Sequence, residues 1–382
     1  MSAAHHLSGL LCGLSVLPLE PPHPVSAALI VGIVVVLTCT ILFDPVGRDC
    51  LFRKLALYGR GGAQMVVGKD KKWKKKGRPD PARVVGARDR RSKRVVFIRH
   101  GESEWNLVFN VGPKVLVPFK AVGALVREAL LFLRLDDGSV LYDSPLNESG
   151  LQQARDLDAV FADFPSDKPG YADVSACGDR DASVLATSNL RRAAQTVALG
   201  LRTRLERHGD EKMHCLSALQ EISTNIDTLS ITPPHKAPQL PNVPQHLAAG
   251  DRFDVAGNSG NKLLRGNGLQ RMQAFTEWAF KRPEETIVVG GHSLFFRSFF
   301  REFLPVGDNP LGARDSKIAN GGVVAFTLDR GTVDGDKGEP AQIQYRIAPE
   351  TIVEVHLGFD TPEKKARAKA AAKAAAKEKK AA

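Results

Sequence analysis

The sequence has few cysteines, and their spacing argues against a metal site. No two of them form a CxxC pair, and none lies in a cluster of cysteine and histidine with the spacing of metal ligands. We therefore expect the main body of the chain to lie in a reducing compartment. The five cysteines are Cys12, Cys39, Cys50, Cys177 and Cys215.

The main body also lacks the excess of basic charge that nucleic-acid-binding proteins carry. The net charge is +11, but residues 48–94 hold 17 Lys and Arg against 4 Asp and Glu. Residues 363–382 hold 8 against 2, so residues 95–362 are net acidic. Because an acidic body repels a polyanion over most of its surface, the charge distribution argues against a nucleic-acid partner.

Charge is absent from residues 25–43, VSAALIVGIVVVLTCTILF. A helix of that length spans about 28 Å, close to the hydrocarbon thickness of a bilayer. A cleaved signal peptide would carry basic residues before a shorter apolar run, yet residues 1–24 contain no Lys or Arg. A buried core helix is the other alternative, but the run is apolar on all sides and lies between Pro24 and Pro45. We predict a transmembrane helix at 25–43.

The charges beside this segment predict its orientation. Arg48, Arg53 and Lys54 follow it closely, whereas no basic residue precedes it. By the positive-inside rule, residues 1–24 lie on the non-cytoplasmic side. The protein is then a single-pass membrane protein with its catalytic domain in the cytoplasm.

The two basic segments are predicted to lie outside the folded domain. Residues 44–94 are punctuated by Pro and Gly and read as a linker, either a solvated tether or a contact of 48–94 with anionic lipid headgroups. We favour the lipid contact, since an anchor would hold this segment near the headgroups. Residues 363–382 read as a solvated, partly helical Lys/Ala tail, with a membrane or nucleic-acid contact as the alternative.

Residues 95–362 alternate between strand-like and helix-like patterns. This alternation predicts an α/β fold, a three-layer sandwich with a mostly parallel sheet flanked by helices. Two regions, 107–142 and 224–268, do not fit the pattern, and the second reads as a lid or substrate-binding excursion. The predicted strands are VVFI (95–98), SVLAT (183–187), TIVVGG (286–291) and GVVAFTL (322–328). The predicted helices lie in 146–164, 189–208 and 269–282.

Two of these strands end in a histidine, at His100 and at His292. A lone histidine beside a strand is more often structural, but ligands of open α/β sheets bind beyond the carboxyl ends of strands, where two histidines could meet. Between them lies TSNLRRAAQT (187–196), in which Thr187 or Ser188 could cap a helix. Arginine in the first helical turn is electrostatically unfavourable unless an anion binds there.

We expect one arginine of this first turn, Arg192, to face that anion and its neighbour Arg191 to be solvated. Three other cations could contact an anion or could lie on exposed surface. They are Arg297 in HSLFFR, and Lys262 and Arg265 in GNKLLRGNG.

Taken together, these motifs resemble the histidine phosphatase superfamily, which includes the cofactor-dependent phosphoglycerate mutases. The similar stretches are RHGES followed by WN, the S-x-L-x-R-A-x-x-T pattern, DSPLNESGLQQA (143–154), Glu221 at the end of LSALQE, and a late GHS. Apart from DSPLNESGLQQA, these are four elements in the family's order, and together they are far more specific than an isolated RHG. The resemblance covers about Val95 to Leu328.

The resemblance implies a role for each matched residue. His100 would be the nucleophile and form a phosphohistidine, and Glu221 would transfer the proton. Gly101 would let the chain turn close to the anion. No metal and no cofactor are required. The phosphate pocket would be formed by Arg99, Arg192 and His292, with Ser103 and Asn106 as secondary contacts.

The sequence after Glu221 favours hydrolysis over mutase chemistry. Mutases of the family continue with an E-R-H-Y-G type sequence, whereas this chain continues with ISTNIDTLSITPPHK. We therefore predict a membrane-tethered phosphatase acting on a phosphorylated substrate. The alternatives are a phosphoglycerate mutase and an inactive phosphate-binding scaffold on a membrane.

Overall fold

The computed structural model describes residues 31–32, 34–35, 38–39, 44–73, 79–335, 340–367 and 370. The chain divides into two compact units, Met1–Lys54 and Leu55–Ala382. Within the described residues, no helix has the length and apolarity needed to cross a bilayer. Most of the span predicted at 25–43, all of residues 1–24 and most of the predicted tail lie outside the described residues.

The segment predicted as a linker contains regular structure, which corrects that prediction in part. Helix α1 (Pro45–Val67) occupies much of it, and strand β1 (Arg91–Arg99) begins before the predicted domain boundary at residue 95. The high density of charge in residues 69–72 predicted that their side chains are solvated, but Asp70 is only 1% exposed. Asp70 is buried because it forms ion pairs with Lys262 and Arg271, two cations far away in the sequence.

One eight-stranded mixed sheet forms the centre of the second unit. Its order is β4-β3-β2-β5-β1-β6-β7, and β8 also pairs with β6. The strands from β4 to β1 are parallel, whereas β6 is antiparallel to β1, β7 and β8. The remaining strands are β2 (Ser183–Ser188), β3 (Met213–Leu216), β4 (Phe253–Asp254), β5 (Thr286–Gly291), β6 (Val323–Val333), β7 (Gln342–Ile347) and β8 (Val353–His356).

The prediction of a mostly parallel sheet is therefore wrong. Short connections, 334–341 and 348–352, join β6 to β7 and β7 to β8. A parallel pairing needs a crossover of a dozen or more residues, so the short connection after β6 leads into an antiparallel pairing with β7. β8 continues in the direction of β7 and pairs with the other end of β6. In the parallel half, which carries the predicted site, β1, β2 and β5 contain strands expected from sequence, whereas β3 and β4 were not predicted.

Helices cover both faces of the sheet, because alternate side chains of β1 point to opposite sides. Phe97 packs into a phenylalanine-rich core with α9 and α10, and Ile98 packs into a second core with helices α4 to α7. The region 107–142 contains α3, and 224–268 contains the short elements α8 and β4 and two 3-10 turns, Ile226–Thr228 and Gly250–Arg252. The helices after α1 are α2 (Glu104–Phe109), α3 (Val117–Leu133), α4 (Glu148–Ala162), α5 (Tyr171–Gly178), α6 (Arg191–Gly200), α7 (Arg202–Arg207), α8 (Gln245–Ala248), α9 (Gly268–Lys281) and α10 (Ser293–Phe303).

Candidate active site

The two predicted histidines lie side by side at the carboxyl ends of neighbouring strands. β1 and β5 are parallel and in register, with Arg99 opposite Gly291. The residue after each strand is a histidine, and the ring centroids of His100 and His292 are 5.2 Å apart. The backbone N–H of His100 donates to the Gly291 carbonyl at 3.0 Å, which fixes this neighbourhood.

His100 is held as a neutral imidazole with one nitrogen available for attack. Its Nδ1 lies 2.6 Å from the Gly101 carbonyl oxygen, and because a carbonyl only accepts, Nδ1 carries the proton. Nε2 therefore has a free lone pair. Burial, followed by the nearby charges of Arg192 and Arg99, holds the pKa of His100 well below its usual range. The ring is then uncharged over a wide pH range, as a nucleophile must be.

His292 is fully buried, yet neither of its ring nitrogens has a hydrogen-bond partner within the described residues. Burial, and then the proximity of Arg192 and His100, lower its pKa. Buried polar atoms are nearly always bonded, so an unpartnered imidazole indicates a place where a ligand atom would bind. Its position beside His100 suits a donor to an oxyanion.

Arg192 lies in the same place and is only 2% exposed. Its guanidinium donates to the Asp227 carbonyl oxygen at 2.9 Å and lies 3.5 Å from Asp227 Oδ2. Burial raises the pKa of Asp227 to about 6, against the opposing effect of Arg192. Sequence reasoning missed Asp227, since it lies in an irregular stretch with no periodicity to mark it.

Two predictions about the start of α6 are wrong, the solvation of Arg191 and the helix cap. Arg191 is buried rather than solvated, and its side chain donates to the carbonyls of Ser139 and Asp143 at 2.7 and 2.8 Å. Its backbone N–H donates to Asp143 Oδ1 at 2.7 Å. The cap expected from Thr187 or Ser188 is absent from this helix, which has Leu190 at its N-cap and takes the Asp143 carboxylate instead. A partner 48 residues away could not be read from local sequence.

Two further cations, Arg99 and Lys317, reinforce the positive charge of the site. Arg99 donates to the Ile318 carbonyl at 2.6 Å, while its Nε has no partner within the described part of the chain. Burial lowers the pKa of Arg99 to about 10, with Arg192 acting in the same direction. Burial also lowers the pKa of Lys317, with Arg99 adding to the shift. Such a concentration of cations is favourable only when an anion occupies it.

The side chain of Glu221 lies against the N-terminus of α10, the helix that follows His292. Its two carboxylate oxygens accept hydrogen bonds from the backbone N–H groups of Phe295 and Leu294, at 2.8 and 3.2 Å. A carboxylate at a helix N-terminus is favoured by the helix dipole. This arrangement holds Glu221 next to the histidine pair.

The other residues of the RHGES motif have structural contacts of their own. The N–H of Gly101 donates to Thr196 Oγ1 at 3.1 Å, and a Cβ at Gly101 would come 2.5 Å from the Gly150 carbonyl oxygen. Packing against Gly150 thus requires glycine here, and the close approach of an anion to Gly101 stays a prediction. Ser103 caps α2 by accepting from the N–H of Asn106 at 3.3 Å, and both residues line the cavity.

None of the three additional candidate cations lines the cavity beside His100, although Arg297 is near enough to lower the pKa of Lys317. Lys262 is buried, with its ammonium group 2.9 Å from Asp70 and bonded to the carbonyls of Glu221 and Ser223. Burial lowers its pKa to about 8. Arg265 is exposed and Arg297 is half-buried. Lys262 therefore supports the loop of Glu221 from behind.

His100, Arg192 and Glu221 line an open, polar cavity of about 460 Å³, which is large enough for a phosphomonoester. One rim carries Trp105 and Asn106 of α2, and Asn320, Asp360 and Lys365 complete it. The arrangement offers a neutral imidazole, fixed cations and four carboxyl groups within one cavity. Its floor is formed by His100, Arg99, Arg192, Glu221 and Asp227.

Comparison with known proteins agrees with this geometry. The model of the histidine phosphatase superfamily (branch 1) matches residues 139–336, just over half of the chain. This range contains Arg192, Glu221 and His292. It begins after His100, because α2 and α3 lie between His100 and residue 139 in the sequence. A search of curated proteins found no match.

Several solved structures are similar over most of their length. "Mycobacterial hydrolase 1" is 14% identical, with a TM-score of 0.33, over 67% of this chain and 97% of that one. Mycobacterial glucosyl-3-phosphoglycerate phosphatase is 14% identical, with a TM-score of 0.30, over 67% and 98%. Phosphoglycerate mutase from Thermus thermophilus is 15% identical, with a TM-score of 0.28, over 65% and 96%. On its matched motifs and family model, the chain belongs to the histidine phosphatase superfamily.

Proposed function

We propose that the protein is a metal-independent phosphomonoester hydrolase that works through a phosphohistidine on His100. The observation that carries this proposal is the buried pair of neutral imidazoles, 5.2 Å apart, beside Arg99 and Arg192. A phosphoryl group in this position would have cations around its equatorial oxygens, and these stabilise the charge of the transition state.

The reaction would proceed in two steps. In the first, His100 Nε2 attacks phosphorus while the bond from phosphorus to the ester oxygen breaks, and Glu221 gives that oxygen a proton. In the second, water attacks the phosphohistidine and gives its proton to Glu221. The N–P bond then breaks and releases phosphate. His292 and Arg192 would donate to the phosphoryl oxygens in both steps.

The proposal favours hydrolysis over mutase activity because of the residues that follow Glu221. Ser223, Asn225 and Asp227 line the cavity at this point, where the mutase sequence would bring basic and tyrosine residues. A polar, partly acidic rim does not suit a bisphosphate. The test is whether 2,3-bisphosphoglycerate stimulates the interconversion of 3- and 2-phosphoglycerate, and stimulation would contradict the proposal.

The key experiment measures hydrolysis of an aryl phosphate by the full chain in the presence of a chelator. His100→Ala should abolish turnover and the acid-labile phosphoenzyme. The matched control is His246→Ala, because His246 is exposed and lies on α8. Wild-type activity in His100→Ala would sink the mechanism, and phosphate binding without turnover in the wild type would favour the scaffold alternative.

We further propose that residues 25–43 tether the enzyme to a membrane, with the catalytic domain in the cytoplasm and basic residues of 48–94 near anionic lipid. The support is the uncharged 19-residue run and the basic residues that follow it. Protease protection in sealed membranes tests the orientation. With the cytoplasmic face outward, protease should cleave residues 95–362 directly, and protection of these residues until the membrane is permeabilised would contradict the proposal.

A further inference from the structure

Helix α3 presents an apolar face to solvent. Phe119 is 74% exposed, and every other large side chain on this face is also well exposed. A soluble surface helix normally shows the opposite pattern, with its apolar face inward. An apolar patch of this extent marks an interaction surface. The apolar face consists of Val115 and Leu116, in the turn just before α3, and of Phe119, Val122, Leu125, Val126, Leu130 and Leu133 of α3.

The inward face of the same helix carries its carboxylate. Glu128 is 7% exposed and accepts hydrogen bonds from Tyr58 and Ser139, both at 2.8 Å. It also accepts from the N–H of Val140 at 2.8 Å. These bonds fix the rotation of α3, so its apolar face cannot turn inward without leaving a buried carboxylate unpaired.

Basic residues outnumber acidic ones in the sequence of α3 and its immediate flanks. Between residues 114 and 134 the only acidic residue is Glu128, which is buried, whereas four residues are basic. Lys114 and Arg134 lie at the two ends of the face. Lysine and arginine beside exposed apolar side chains are typical of helices that lie in the interface of an anionic bilayer. The four basic residues are Lys114, Lys120, Arg127 and Arg134.

Along the chain, α3 is connected to the proposed span through α1. The uncharged run 25–43 ends two residues before α1 begins at Pro45. Within the second unit, residues of α1 pack on α3, where the ring of Tyr58 lies 6.0 Å from that of Phe132. The chain therefore leads from the proposed span through α1 to residues that contact α3.

We propose that the apolar face of α3 binds an anionic phospholipid bilayer. The proposal rests on the membrane association proposed above and adds a second, interfacial contact to it. α3 also adjoins the candidate active site, because Arg127 pairs with Glu104 of α2 at 3.2 Å and Lys120 donates to the Val111 carbonyl at 2.8 Å. Binding would thus hold α2, which carries Trp105 and Asn106 of the cavity, near the lipid surface.

The test uses the full chain in vesicles of phosphatidylcholine and phosphatidylserine with brominated acyl chains. Phe119→Trp reports on the apolar face, and Val306→Trp, at an exposed site after α10, is the matched control. After subtraction of the wild-type signal, bromine should quench the tryptophan introduced on α3 severalfold more than the control tryptophan. Quenching should be stronger with phosphatidylserine than with phosphatidylcholine alone. Equal quenching at the two sites would overturn the proposal.

A second variant separates the bilayer from other occupants of the face. In the Phe119→Trp background, Val122→Glu with Val126→Glu should reduce quenching severalfold, whereas Val85→Glu, at an exposed site outside α3, should not. In detergent, fluorescence of the tryptophan introduced on α3 could depend on protein concentration. Such a dependence, without quenching in vesicles, would indicate that a second copy covers the face and would overturn the proposal.

Enzyme activity distinguishes failure of this inference from failure of the proposed function. The Val122→Glu/Val126→Glu variant should hydrolyse soluble aryl phosphate as the wild type does. Quenching in Phe119→Trp, together with no hydrolysis by the wild type, would sink the phosphatase proposal and leave the lipid surface intact. Loss of the chain from vesicles on alkaline washing would sink the tether, while quenching of Phe119→Trp by freshly added vesicles would still test α3.

Discussion

At the scale of single residues, the site is governed by competition for Arg192. Asp227 is the residue that contacts this guanidinium within the described structure, and a bound phosphate would need the same positive charge. Protonation of Asp227 weakens its hold on Arg192 and leaves more of the guanidinium's charge for substrate. The carboxyl group of Asp227 therefore controls how strongly the cavity attracts an anion.

This competition predicts a pH dependence. Since the pKa of Asp227 is raised to about 6, its carboxyl is protonated below that pH and ionised above it. We expect kcat/KM to fall as the pH rises through about 6, and Asp227→Asn to remove this limb of the profile. The measurement is the pH profile of aryl phosphate hydrolysis, with the exposed Asp251→Asn as control. An unchanged limb in Asp227→Asn would contradict the prediction.

The neutral histidines do not account for such a limb. The pKa values of His100 and His292 both lie well below the usual range, so each ring is already unprotonated near neutral pH. Their protonation would lower activity only when the pH falls into the range of these depressed pKa values. A loss of activity on that acidic side therefore reports on the imidazoles, and comparison with Asp227→Asn shows which part of a loss above about pH 6 comes from Asp227.

At the scale of elements, the short segment after α1 connects three parts of the catalytic unit. Asp70 Oδ2 accepts from the N–H of Ser223 and from Lys262, both at 2.9 Å. Asp70 Oδ1 accepts from Arg271 of α9 at 2.8 Å. Lys262 in turn donates to the Glu221 carbonyl at 2.7 Å. The loop of Glu221 is thus held from behind by a residue that sequence reasoning assigned to a linker.

Removing the charge of Asp70 should destabilise the fold. Asp70→Asn leaves Lys262 and Arg271 buried without their partner, and loss of one member of a buried ion pair costs about 3–5 kcal/mol in free energy of unfolding. Denaturant unfolding of Asp70→Asn measures this loss, with the exposed Asp167→Asn as control.

A double variant tests the origin of that loss. Asp70→Asn with Lys262→Met should recover part of the stability, because the second change removes the unpaired ammonium. A double variant less stable than expected from adding the two single effects would contradict the ion-pair explanation.

At the scale of the whole molecule, the catalytic unit begins before residue 95. A chain of residues 95–362 lacks Asp70 and the first four residues of β1, which pair with β6 from Arg91↔Arg330 to Arg94↔Thr327. A loss of about 3 kcal/mol lowers Tm by roughly 6–12 °C in a protein of this size. We expect at least that difference between chains 95–362 and 55–367 by calorimetry.

An intermediate chain separates the two contributions to this difference. Residues 79–367 retain all of β1 but lack Asp70, so the Tm of this chain should lie between the other two. Equal Tm values for 79–367 and 55–367 would mean that the 68–73 segment adds no stability, contrary to the buried contacts of Asp70.

Sequence reasoning succeeded where function is encoded in adjacent residues. The apolar strands that end in His100 and His292, and the first turn of α6 with Arg192, are local patterns, and parallel strands deliver their ends to one edge. The antiparallel half of the sheet was missed because β7 and β8 are short, so their residues show no clear strand pattern. The outward apolar face of α3 was missed because its spacing does not match an ordinary core helix.

The sequence by itself determined the family, and it indicated His100, His292, Arg99 and Arg192 as residues of the candidate site because each lies at the end of a local element. Only the tertiary structure decided which partner each charged group has: Asp227 for Arg192, Asp143 for Arg191 and Asp70 for Lys262. The physical reason is that a buried charge requires a compensating group nearby, and packing alone determines which distant residue supplies it.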